Sequence, residues 1–214
     1  MYFYLGMAIV IALIVYFYYF SLRKKRIPRT NSLYTDALNA MVNGDLSNAI
    51  GLLKQVVKQD SNHVRAYLQL GNILRKENPE QALKIHQSLT VRPNLPKDIQ
   101  VDIHTALAED YGFISNYKKA IEEAKLVLAI EKRNLWALNF LINISVENQD
   151  WEEAIGWTKQ LQKITGKTSS EDEAKFDVFK GLDYLNSGDF EKAKSQFEKG
   201  IKASPDFPPS YRYL

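Results

Sequence analysis

No cysteine occurs anywhere in the 214 residues. That excludes disulfides and every thiolate metal site, and nothing in the chain requires an oxidising compartment. Net charge is small as well, a formal +3 from 28 Lys and Arg against 25 Asp and Glu. So slight an excess implies no nucleic-acid partner. Histidine is scarce, and His63, His86 and His104 share no metal-ligand spacing. His86 reads as a satisfied, semi-buried imidazole. No glycine-rich loop is present to cradle a phosphate. Glu152-Glu153 and Glu171-Asp172-Glu173 read as solvated helix starts, where negative charge meets the helix dipole favourably. These absences point away from enzyme activity and leave the chain's surface as the carrier of function.

Charge is also missing from one long stretch. "YFYLGMAIVIALIVYFYYFSL", Tyr2 to Leu22, has 21 residues and no charged side chain. As a helix it would reach about 31 Å, enough to cross a hydrocarbon core. Tyr2, Phe3 and Tyr4 lie at one end and Tyr16 to Phe20 at the other, suited to the two headgroup zones. A cleaved signal peptide would want a basic start and a shorter apolar run. Residues 1–22 are therefore expected to form an uncleaved anchor. Arg23, Lys24, Lys25 and Arg26 follow directly. Positive flanks stay on the cytoplasmic side, so the N-terminus is expected outside and the remainder inside. Residues 23–30 read as a basic linker, with Pro28 ending any continuous helix.

Beyond the linker the chain repeats. The segments "NGDLSNAI", "KENPEQAL", "ISNYKKAI", "NQDWEEAI" and "SGDFEKAK" place an alanine at Ala49, Ala82, Ala120, Ala154 and Ala193, with spacings of 33, 38, 34 and 39. A period near 34 with helix–turn–helix patterning is the tetratricopeptide signature. A small residue on each first helix falls at Ala37, Gly71, Ala108 and Gly181, with Ile142 a departure. Leu53, His86, Ala124, Thr158 and Phe197 take the packing slot on each second helix. The two long spacings carry their surplus at Arg92–Gln100 and Ile164–Ala174. These read as stretched loops or extended helices, the second with a helix start at Ser169 or Ser170.

The fold class is therefore all-α: an anchor helix, then five repeats over residues 31–207 in a right-handed tetratricopeptide solenoid. The closing "SPDFPPSYRYL" is expected to open a sixth first helix over 208–214, as in a chain that is either a fragment of a longer protein or a shortened relative. First helices of such a solenoid line its concave face. The alanine register assigns Arg65, Leu68, Asn72 and Arg75 to that face in the second repeat. It assigns Asp102, Thr105, Glu109 and Phe113 in the third, Trp136, Asn139 and Asn143 in the fourth, and Lys175, Val178 and Leu182 in the fifth. The mixture suits a peptide or protein segment. Arg65 and Arg75 are candidates to pair an acidic partner, and Trp136 either anchors it or packs between repeats. Asn143 heads an N-x-S acceptor, discounted because it is mid-helix and expected in the cytoplasm.

One segment is more specific than the repeat consensus. "LGNILRKENPEQALKIHQSL" contains Leu70, Gly71, Asn72, Arg75, Ala82, Ile85, His86, Gln87 and Leu89. With the N-terminal anchor, the basic flank and the 38-residue second spacing, it resembles the lipopolysaccharide assembly protein B family of Gram-negative bacteria. The resemblance implies an inner-membrane protein with one span, a periplasmic N-terminus and a cytoplasmic repeat array. It implies an adaptor, not an enzyme, which regulates lipopolysaccharide synthesis. The partners it implies are a membrane-bound ATP-dependent protease and the deacetylase that commits precursors to lipid A. Ala8 and Ala12 offer a small-xxx-small contact for a membrane partner. The family ends in a rubredoxin-like module whose four cysteines hold a metal. Those cysteines are absent here, so no cofactor is expected in this chain. The alternative reading is a generic membrane-anchored scaffold for assembling an envelope complex.

Overall fold

The computed structural model describes residues 30–213 together with Leu13 and Tyr16. The expected anchor, apart from those two residues, and the basic flank Arg23, Lys24, Lys25 and Arg26 lie outside the described residues. Among the described residues no helix is long and apolar enough to cross a membrane.

The described residues form helical hairpins with no strand. Two compact units divide at Ser61. In the first, α1 (Thr30–Val42) packs on α2 (Leu46–Gln59). The second contains four more pairs: α3 (Val64–Leu74) with α4 (Pro79–Thr90), α5 (Lys97–Phe113) with α6 (Tyr117–Ile130), α7 (Leu135–Glu147) with α8 (Trp151–Thr165), and α9 (Ser170–Asn186) with α10 (Phe190–Ala203).

Each second helix begins for the same local reason. Asp45, Asn78, Asn116, Asp150 and Asp189 sit four residues before the five signature alanines. Each side chain accepts a hydrogen bond from the N–H three residues on, and each backbone carbonyl accepts one from the alanine itself. These caps satisfy N–H groups that the helix leaves free. The residue before the cap is left-handed in four turns, at Gly44, Ser115, Gln149 and Gly188, with φ between 58° and 82°. The second repeat lacks it: four residues separate its helices where the other hairpins have three, and Pro79 stands at the first helical position.

The signature alanines are at most 1 % exposed. Small and large side chains fit together across each hairpin. A Cβ at Gly71 would lie 2.7 Å from Cε1 of His86, and one at Gly181 would lie 2.7 Å from Cδ1 of Phe197. Glycine at these positions lets a ring occupy the helix interface. The same complementarity accounts for the departure at Ile142, whose second-helix counterpart is the smaller Thr158. There Leu141 is fully buried and Ile142 only half-buried. Leu141 joins Ala108 and Ala124 in one apolar cluster.

The long spacings resolve into both loop and helix. α5 and α9 run 17 residues each, and Ser169 caps α9. Where a sixth first helix was expected, Pro208–Tyr211 forms a four-residue 3-10 turn. Consecutive prolines at 208 and 209 carry no N–H to donate to a helix ladder. Phe207 packs against the Val178–Phe197 cluster and Tyr213 stacks on Phe197 at 5.5 Å, so the segment covers the apolar end of the last hairpin.

Candidate functional site

The second and third repeats meet through a polar network buried beneath the first-helix face. Arg75 Nε donates to Asp110 Oδ1 (2.6 Å), its Nη1 to Glu109 Oε2 (2.7 Å), and its Nη2 to Asn72 Oδ1 (2.9 Å) and the Ala106 carbonyl (3.3 Å). The other oxygen of Asp110 lies 2.6 Å from His86 Nδ1, while His86 Nε2 lies 3.2 Å from the Leu68 carbonyl. His86 is completely buried and Asp110 is 1 % exposed. The imidazole is therefore satisfied, as the sequence suggested, but fully enclosed instead of half-enclosed. Gln87 Nε2 donates to the Tyr111 hydroxyl (2.9 Å). A buried carboxylate is tolerated only when charge and hydrogen bonds surround it, and Asp110 has a guanidinium on one oxygen and an imidazole on the other. The motif residues Gly71, Asn72, Arg75, His86 and Gln87 thus act together. Gly71 makes room for His86, Arg75, His86 and Gln87 tie into Glu109, Asp110 and Tyr111 one period later, and Asn72 accepts from Arg75.

Above this network lies a cleft of about 230 Å³, lined by Leu68, Gln69, Asn72, Asp102, Thr105, Ala106 and Glu109. Five of the expected groove residues converge there: Leu68, Asn72, Asp102, Thr105 and Glu109. Leu68 forms the floor; it is only 4 % exposed and belongs to the core cluster of Leu89, Ile103 and Leu107. Arg65 stands exposed at the rim, 3.0 Å from Asp98 and 3.9 Å from Asp102. Burial holds the Asp102 carboxyl above its ordinary pKa; Arg65 opposes this, and the carboxylates of Asp98 and Glu131 reinforce it.

The remaining expected residues do not join the cleft. Arg75 is held from below by Glu109 and Asp110, and the exposed Arg65 meets Asp98. Phe113 is 51 % exposed at the end of α5. Trp136 is half-buried, stacked on Phe140 at 5.0 Å and packed beside Val101, Val127 and Ala137. α7 turns it toward the α5–α6 hairpin, so it packs between repeats. Asn139 and Asn143 are exposed, and Asn139 Nδ2 donates to the Leu135 carbonyl (2.8 Å). In the fifth repeat Lys175 lies over the Phe179 ring (5.6 Å), Val178 is core, and Leu182 packs against it.

Sequence reasoning missed Asp110, the hub of the network. Its only signal is its place two residues after the small slot Ala108, on an otherwise apolar helix face. It also missed a second polar groove where α8 starts beside α9. There Trp151 Nε1 donates to the Asp183 carboxylate and Lys180 Nζ contacts Glu152 Oε1 (2.5 Å). Among the described residues no group of three or more His, Asp and Glu is placed to hold a metal.

Comparison with known proteins places this geometry in context. Tetratricopeptide-repeat models match residues 34–91 and 178–207. Lipopolysaccharide assembly protein B of Escherichia coli K12 is 25 % identical over 171 residues, covering 79 % of this chain and 44 % of that protein. The Haemophilus influenzae protein of the same name is 25 % identical over 142 residues, covering 61 % of this chain and 35 % of its own. The chain thus spans less than half the length of these curated relatives. Among solved structures, MamA superposes with a TM-score of 0.59 at 19 % identity, covering 88 % of this chain and 98 % of that one. YrrB, described as a tetratricopeptide-repeat protein with an unusual peptide-binding site, gives 0.56 at 16 % identity over 84 % and 88 %. These likenesses establish the fold. The fold is that of tetratricopeptide-type helical hairpins, and the chain is similar to lipopolysaccharide assembly protein B.

Proposed function

We propose that this chain is a membrane-tethered adaptor in the regulation of lipopolysaccharide synthesis. Residues 1–22 serve as the anchor in the bacterial inner membrane, 23–30 as the basic linker, and the repeats face the cytoplasm and capture a client polypeptide. The resemblance to the assembly protein B family supplies the partners: a membrane-bound ATP-dependent protease and the lipid A pathway deacetylase. The chain performs no chemistry itself in this reading. It brings the two together.

One observation carries the reading. The residues that make the second repeat resemble that family are the same residues that lock the second repeat to the third and shape the cleft above. A sequence needing only a stack of hairpins would not bury His86, Asp110 and Arg75, because apolar side chains of similar volume serve stability as well or better. A fixed polar network does hold Glu109 and Asn72 in one geometry at the cleft wall.

The cleft's chemistry narrows the client. Its charged walls are Asp102 and Glu109, and both nearby guanidinia are already matched. A client segment that is neutral or basic suits it better than an acidic one. Depletion of the chain in its native host, with deacetylase levels followed after translation is blocked, tests the adaptor role. The deacetylase should persist longer. Unchanged turnover would remove this function and leave the generic envelope scaffold.

A further inference from the structure

The loop between α4 and α5, residues 91–96, holds much of the surplus that lengthens the second alanine spacing. Asn94 is left-handed there (φ 55°), and Leu95 packs onto the Leu68–Ile103 core cluster. Between this loop and α5 lies a cavity of about 310 Å³, with Arg92, Asn94, Gln100, Ile103 and His104 among its walls. That is the lower end of ligand-pocket volumes. It shares no lining residue with the cleft described above.

Arg92 is the unexplained wall. Its guanidinium lies over the Tyr67 ring, 4.7 Å from the centre, and its Nη1 is buried with no acceptor. Among the described residues no carboxylate pairs with it, in contrast to Arg75, which meets two. A half-desolvated cation held only by an aromatic face is short of a counter-ion. The other walls do not supply one. Gln100 Nε2 is committed to the Leu95 carbonyl (2.7 Å), and His104 Nδ1 sits 2.6 Å from Glu123 Oε2, so that carboxylate is already matched.

We propose that this cavity binds a carboxylate, from a small organic acid or from a peptide C-terminus, seated against Arg92. One unmatched cation suits a single negative charge better than a phosphate dianion. Planar carboxylate matches the guanidinium fork. Leu95 and Ile103 give a short aliphatic group an apolar wall. The insertion in the repeat spacing is, on this account, the part of the chain that builds a ligand site.

The test uses the full chain in lipid nanodiscs, labelled with 15N-arginine. It is titrated with propionate, with the tetrapeptide Gly-Ser-Ala-Val as free acid and as amide, and with inorganic phosphate. The Arg92 Nε–Hε resonance, identified by its loss in Arg92→Gln, should shift saturably with propionate and with the peptide acid. It should not shift with the amide. Arg92→Gln should weaken binding at least tenfold by calorimetry, and the exposed Lys132→Gln should not. A peptide acid binding ten times tighter than propionate assigns the site to chain termini; equal or weaker binding assigns it to free acids. No saturable shift with either, unchanged affinity in Arg92→Gln, or tighter binding of phosphate would overturn the proposal. Arg92→Met separates ligand binding from folding. It keeps an apolar stem against Tyr67, so without carboxylate it should melt at or above the parent. A melting temperature well below the parent would make Arg92 a structural residue and would equally overturn the proposal.

Discussion

Replacing Gly71 with alanine would drive a methyl group into the His86 ring. The added carbon would lie 2.7 Å from Cε1 and 2.8 Å from Cδ2, and closer still to Nε2. The ring cannot swing aside cheaply, because it is completely buried and held at both nitrogens by Asp110 and the Leu68 carbonyl. Overpacking of this kind costs about 1–3 kcal/mol. Disturbing the imidazole–carboxylate bond adds about 1.5–3 kcal/mol. Better helix propensity returns about 1 kcal/mol. The net expectation is a loss of about 1.5–5 kcal/mol, read by urea unfolding followed at 222 nm. Gly51→Ala and Gly156→Ala are the controls, since a Cβ at either meets nothing within 4 Å. They should gain about 0.5–1 kcal/mol. The double variant Gly71→Ala/His86→Ala should fall short of the sum of its singles by more than about 1 kcal/mol, because the clash needs both partners. A Gly71→Ala chain as stable as Gly156→Ala, or strict additivity in the cycle, would refute the interlocking described for this hairpin.

Asp110→Ala should destabilise by about 3–5 kcal/mol, since it leaves the Arg75 guanidinium and His86 without their shared carboxylate; a loss under 1 kcal/mol would contradict a buried network. Asp102→Asn tests the cleft by pH. Burial raises the Asp102 pKa, so the folded chain holds that proton more firmly than the unfolded chain. Ionised Asp102 therefore subtracts stability above its folded pKa, and the penalty disappears as pH falls through it. The asparagine variant should melt higher than the parent at pH 7 and equally below the carboxylate range; a lower melt at pH 7 would be the wrong sign. Ser115→Gly and Gln149→Gly should each gain up to about 1 kcal/mol, because both residues occupy left-handed backbone at φ 58°; a loss in both would show that their side chains serve the turn.

The hairpins were legible because one physical device recurs. A capping Asx, four residues on an alanine, and four more a packing residue is a pattern written in local chemistry, and the second helices follow it without exception. First helices were legible only to within a residue, because their partner sets which side chain turns inward. Ile142 shows this: arithmetic from Ala154 selects it, yet Leu141 takes the buried position, since volume is already filled differently in that pair. Trp136 shows the same limit from the other side. Its period matches a groove residue, but stacking on Phe140 and burial beside Val127 cannot be read from period alone. Asp110 was hidden for a related reason. A charge on an apolar face reads as surface until two basic groups from other helices are known to surround it. Leu68, by contrast, belongs to both floor and core.

Site-specific photo-crosslinking in native inner membranes bears most directly on the adaptor account. A photoreactive residue would replace Thr105 or Asn139, on the first-helix face, or the exposed Lys159 on α8 as the comparison. The account predicts adducts with the lipid A pathway deacetylase from Thr105 and Asn139 and none from Lys159. Adducts from Lys159 alone, or no deacetylase adduct at any of the three positions, would contradict it.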